Sequence, residues 1–143
     1  MCILQRRSLT VIPFLLYPPD SGDFNIKPNE PVYEYLTTGA IDTSSPFYPS
    51  PKNGMDWKPT MKPMRSAYAV KNGKEPDFTN YAQSRGGDPF IDTLDFIFLS
   101  EEWSVEGVME LAHRTDSGGP FPNLEQGESS DHLMIASSLT MKS

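Results

Sequence analysis

Three short polar signals in this 143-residue chain carry residue types that could do chemistry: Asp23-x-Asn25, Asp95, and the adjacent pair Asp131-His132. The chain has only two histidines, so His132 is one of few side chains able to exchange a proton near neutral pH. A carboxylate hydrogen-bonded to one imidazole nitrogen fixes the tautomer and raises the basicity of the ring. The other nitrogen is then left to handle a proton or a phosphate oxygen. Asp95 and His132 could form that pair. Asp131 could bind Mg²⁺, a cation that takes oxygen ligands and neutralises phosphate charge. Asp23 could orient an attacking water, with the Asn25 amide holding the phosphate or the metal shell. Together these residues make a set suited to hydrolysing a phosphodiester. Each also has a plainer reading: a turn after Gly22, a satisfied polar group in a core strand, and a surface histidine.

The elements that must position them are few. Residues 91–99, Ile-Asp-Thr-Leu-Asp-Phe-Ile-Phe-Leu, form the most strand-like run in the chain. Alternation puts Ile91, Thr93, Asp95, Ile97 and Leu99 on one face and Leu94, Phe96 and Phe98 on the other, so both faces read as buried. An ionised Asp95 in such a strand needs a partner, and His132 opens another short apolar run, Leu133-Met134-Ile135. A helix is expected with Asn29 as N-cap, Pro31 in the first turn, Val32, Tyr35 and Leu36 on one face, and Gly39 as the stop. Residues 18–22 read as a turn and 42–63, rich in proline, as one long loop. Phe47, Tyr48, Met55 and Trp57 could pin that loop to the body or stack on a base. Further short strands are expected at 78–81, 105–111 and 133–141.

Composition sets the limits. The 14 prolines and 10 glycines leave much of the chain in loops, with 37% hydrophobic and 22% charged residues. A lean single domain is expected, with a few short elements and long loops. A net charge of −7 argues against broad nucleic-acid coating. The charge is uneven: residues 52–74 hold six Lys or Arg against one acid, and residues 88–131 hold eleven acids against one Arg. The single Cys2 suits a reducing compartment, with the cytoplasm expected and the nucleus as the alternative. Arg6-Arg7 before the apolar residues 9–17 superficially resembles a signal sequence, but Pro13 interrupts the run and no A-x-A-like site succeeds it. Residues 1–21 are therefore expected to be an irregular leader or partial strand. No stretch approaches the ~20 apolar residues needed to span a membrane.

At these residues the chain resembles a known family. Gly22-Asp23-Phe24-Asn25, Ser66-Ala67-Tyr68, Glu75-Pro76-x-Phe78-Thr79-Asn80-Tyr81, Asp92-Thr93-Leu94-Asp95-Phe96-Ile97-Phe98 and Pro120-Phe121-Pro122-Asn123 before Ser130-Asp131-His132 look like the C-terminal half of an endonuclease/exonuclease/phosphatase domain. The branch resembled is the Angel, nocturnin and carbon-catabolite-repressor type of deadenylase-like proteins. The resemblance implies a fold class, α+β with a mainly antiparallel sheet and few short helices, in which residues 22–143 form the C-terminal half of a four-layer α/β/β/α sandwich. It implies hydrolysis of phosphodiester or phosphomonoester bonds with Mg²⁺ (Mn²⁺ as the alternative). It implies an RNA 3′ end, often a poly(A) tail, as the typical substrate. Carried over motif by motif, Asp23 and Asn25 are the Asp-x-Asn pair, Asp95 orients the histidine, Asp131-His132 is the terminal catalytic pair with Asp131 as a metal ligand, and Asn25 and Asn80 face the substrate. The family's N-terminal half, with its metal-binding Gln-Glu segment, has no counterpart in these residues. Two other outcomes are therefore carried forward: a catalytically silent RNA- or protein-binding fragment, and a phosphatase acting on a small phosphate ester.

Overall fold

The computed structural model describes residues 18–84 and 86–142. The leader expected over residues 1–21 lies outside the described residues as far as residue 17, and the strand-like run at 9–17 wholly so. The turn expected at 18–22 is corrected. Asp20–Asp23 is strand β1, paired antiparallel with the central strand, because its backbone closes the ladder of an otherwise open edge.

Two helices and six further strands complete the order: α1 (Pro31–Thr38), β2 (Arg65–Ser66), α2 (Ala67–Asn72), β3 (Asn80–Ala82), β4 (Phe90–Asp92), β5 (Asp95–Leu99), β6 (Trp103–Val108) and β7 (Ser137–Met141). They form a three-stranded sheet β1-β5-β2 and two ladders, β3-β4 and β6-β7, each strand pairing being antiparallel. The architecture is α+β and mostly antiparallel, as the resemblance implies. No helix among the described residues is long and apolar enough to cross a membrane.

The centre is β5, all five of whose residues are buried. Its alternation is the one read from sequence. Ile97 and Leu99 pack with Ala67 and Tyr68 of α2 and with Ile135, and Trp103, Val105, Val108, Leu111 and Leu139 close over that cluster. Phe96 and Phe98, two residues apart and so on the opposite face, stack at 5.2 Å between ring centroids. Phe24 meets Phe98 edge-on at 5.0 Å, and Tyr33 lies over both rings at 5.5 and 6.2 Å.

Residues 91–99 are not one strand. The run divides into β4 and β5 at Thr93-Leu94, because the backbone N–H groups there bond to side-chain oxygens instead of to a neighbouring strand. The Thr93 N–H donates to Asp92 Oδ1, and the Leu94 and Asp95 N–H groups both donate to the Thr79 hydroxyl. The helix α1 also differs in detail. Glu30 is the N-cap residue and makes no side-chain cap bond; Gly39 ends the helix at φ 72°, its N–H on the Tyr35 carbonyl. Val32, expected to be inward, is exposed, and Tyr33 takes the packing position. The Tyr33 hydroxyl donates to Glu75 Oε1 (2.6 Å), and Ser66 donates to Oε2 (2.8 Å), tying α1 to the segment around α2. Burial pushes the Glu75 carboxyl above its ordinary pKa, against those two bonds.

Residues 42–63 contain no helix or strand beyond a bridge between Lys52 and Met55. Trp57 sits between Tyr35 and Tyr48, each 5.3 Å away, which anchors the loop to α1. Phe47 and Met55 remain exposed.

The aromatic layer should dominate stability. Phe98→Ala is expected to cost about 3–5 kcal/mol by urea unfolding, with the m-value unchanged, whereas Val32→Ser should fall within about 0.5 kcal/mol of the parent.

Candidate active site

The cross-strand register brings the first two groups together. Asp23 on β1 lies directly opposite Asp95 on β5, and directly opposed residues point to the same face of the sheet. Two carboxylates so placed repel unless a cation or donor lies beside them. His132 supplies one. Its segment is held by a bridge to Asn80, by the Tyr81 N–H on the Asp131 carbonyl (2.9 Å), and by the Leu133 N–H on the Thr79 carbonyl (2.7 Å).

His132 Nδ1 lies 2.9 Å from Asp95 Oδ2. A carboxylate accepts only, so the proton of this bond is carried by Nδ1, and the neutral ring has its lone pair on Nε2. Nε2 points toward Asp23, whose Oδ2 is 3.9 Å away. Asp95 is 8% exposed, whereas the Asp23 side chain is nearly half exposed. Burial lowers the His132 pKa, but the hydrogen bond and charge of Asp95, together with the charges of Asp23 and Asp131, outweigh it and raise the pKa above its ordinary value.

Asp23 is shaped by a local turn. The Asn25 N–H donates to Asp23 Oδ1 at 2.8 Å, with Asn25 in the left-handed region at φ 51°. This is an Asx-turn. It occupies one carboxylate oxygen and leaves Oδ2 for the cleft.

The cleft above these groups, about 450 Å³, is lined by Asp23, Asp95 and His132 and walled by Gly127, Glu128, Ser129, Ser130 and Met134. Its lining contains three carboxylates and no Lys or Arg. Glu128 had no motif to mark it in the sequence; the return of the chain after Asn123, with mutual backbone bonds between Asn123 and Glu128, brings it there.

Three residues expected at the site are placed differently. Asn80 is 3% exposed and is not part of the cleft wall, because its backbone pairs with both Asp92 and His132; the structure gives it a register role instead of an open face for substrate. The Asn25 side chain is exposed but does not line the cleft, and the residue acts on Asp23 through its backbone N–H. Asp131 contributes its carbonyl to the ladder and its charge to His132, but its carboxylate is not part of the group that converges. That group is Asp23, Asp95 and His132, with one donor atom from each within 4.8 Å of the others. Two carboxylates and an imidazole suit a divalent cation.

The other histidine stands apart. His113 and Arg114 both engage Asp77, with His113 Nε2 at 3.4 Å and Arg114 Nε at 3.0 Å, and clasp residues 113–117 to the segment before β3.

The α+β sheet thus holds an aspartate–histidine pair beside a second carboxylate. In sequence the chain is similar to the carbon-catabolite-repressor-type branch of the endonuclease/exonuclease/phosphatase superfamily. It is 31% identical over 126 residues to carbon catabolite repressor protein 4 homolog 4 of Arabidopsis thaliana, a match covering 85% of this chain and 26% of that protein. The chain thus spans about a quarter of the length of that relative. No protein-family model matches it.

The raised His132 pKa is a stability statement. Stabilisation from the charged pair is fully present below the unfolded-state value of ~6.5 and is lost as pH rises through the higher folded-state value. Urea midpoints measured from about pH 6 to 9 should fall for the parent, and this component should be absent in Asp95→Asn; equal pH slopes in the two proteins would contradict the pairing.

Proposed function

We propose that the chain is part of a divalent-cation-dependent phosphodiester hydrolase, a 3′-5′ exoribonuclease acting on RNA 3′ ends including poly(A), with His132 and Asp95 as the acid/base pair. The observation that carries this reading is the 2.9 Å contact that commits Nδ1 to Asp95 and turns Nε2 toward Asp23 and the cleft. Within the same proposal, residues 22–143 are the C-terminal half of a four-layer domain and act in the cytoplasm, with the nucleus as the alternative.

The roles rest on the geometry. Asp95 holds the ring and stabilises the imidazolium when it forms. Neutral His132 takes a proton at Nε2 from a water placed between the ring and Asp23; protonated His132 offers one to a phosphate or leaving oxygen. With its pKa raised, the ring holds its proton more firmly than a free imidazole does. Asp23, with one oxygen fixed by the Asn25 N–H, orients that water or holds the cation. A cation bound there would neutralise phosphate charge. The cleft lining supports the need for it, since three carboxylates and no basic side chain would repel a bare phosphate. Asp131 adds negative charge close to the ring.

A 5′-labelled oligoadenylate incubated with Mg²⁺ tests the reading. Stepwise release of nucleotides from the 3′ end is expected, lost on chelation and reduced by about 10²–10⁴-fold in His132→Ala. Turnover unchanged in that variant removes the assignment. Turnover of a small phosphate ester with the RNA left intact assigns the same residues to a phosphatase, and Mg²⁺ binding without turnover of either substrate leaves a silent binding module.

A further inference from the structure

Thr79 has no exposed surface and makes no contact with the cleft, yet its polar groups reach the backbone on both sides of the catalytic pair. Its N–H donates to the Asp92 carbonyl at 3.1 Å, and its carbonyl accepts the Leu133 N–H at 2.7 Å, one residue beyond His132. Its hydroxyl oxygen accepts the N–H of Leu94 and of Asp95 itself, each at 2.9 Å. A hydroxyl oxygen has two lone pairs, and both are used by these buried donors.

These bonds sit where the chain leaves β4 and enters β5, so the ladder alone does not hold the backbone that carries Asp95. Only Thr79 among the described residues is bonded both to Asp95 and to the neighbour of His132. We infer that Thr79 is a positioning residue whose hydroxyl fixes the backbone of Asp95 relative to His132 and so holds the imidazole in its Nδ1–H form. It acts through Asp95 and touches neither substrate nor the reacting atoms. A valine, of the same shape, would leave two buried N–H groups without acceptors and release the turn at Thr93-Leu94. A serine would retain the acceptor.

This inference deepens the reading of Asp95 and His132 as an acid/base pair and rests on it for its functional meaning, but its test needs no turnover. The ¹⁵N shifts of the His132 ring, recorded above its titration range, give the ratio of Nδ1–H to Nε2–H forms. In Thr79→Val the ratio should fall roughly fivefold, the factor matching one net hydrogen bond; in Thr79→Ser it should return to the parent value. An unchanged ratio in a folded Thr79→Val protein, or a serine variant that behaves like valine, overturns the inference. Amide exchange on the parent decides the matter even where the valine variant does not fold. The Leu94 and Asp95 N–H groups should be as protected as those inside β5, and exchange at loop rates would overturn it. Loss of RNA turnover in His132→Ala bears on the proposed function alone, so the two can fail separately.

Discussion

A carboxylate that is 8% exposed, at the head of a strand whose every residue is buried, must be neutralised or hydrogen-bonded from several sides. The Asp95 carboxylate meets this constraint with the His132 ring, while the Thr79 hydroxyl satisfies the buried backbone N–H of the same residue. Much of the surrounding arrangement answers the same need. The β3 segment lies where it can deliver Thr79 from one direction, and the bridge between Asn80 and His132 sets the histidine at the height of Asp95. Strand β1 then adds a second carboxylate opposite the first, and the raised pKa of the imidazole shows which influence prevails on the ring.

The aromatic layer on the reverse face of β5 has a complementary task. Phe24, Tyr33, Phe96 and Phe98 fill the space between α1 and the sheet, so the strand that bears Asp95 is fixed from behind by apolar packing and from the front by polar contacts. Tyr33 joins the two regimes. Its ring belongs to the layer while its hydroxyl bonds to Glu75, which Ser66 also holds, so α1 and the start of α2 share one partly buried carboxylate. Polar side-chain bonds thus reinforce a sheet too short to be held by ladder bonds alone.

How much could be read in advance depended on the range of the governing interactions. The alternation of β5 and its Asp95–His132 contact are legible in local pattern and in the scarcity of histidine. The split between β4 and β5 is not, because it arises from the Thr79 hydroxyl, 15 and 16 residues before the two amides it holds, and no periodicity reports such a bond. The assignment of Asn80 to the substrate comes from the motif it shares with the resembled family; only the paired backbone on either side shows it buried. The turn expected at 18–22 failed for a similar reason, since Pro and Gly suggest a bend while an open sheet edge draws Asp20–Asp23 into pairing. Glu128 reaches the cleft through a loop return that sequence pattern does not encode.

The Asx-turn at Asp23 has a consequence for ligand geometry. With one lone pair of Oδ1 taken by the Asn25 N–H, Oδ2 is the oxygen of this carboxylate left wholly free toward the cleft. The backbone of one asparagine thereby sets which way the free oxygen of an exposed carboxylate faces across the cleft to the imidazole.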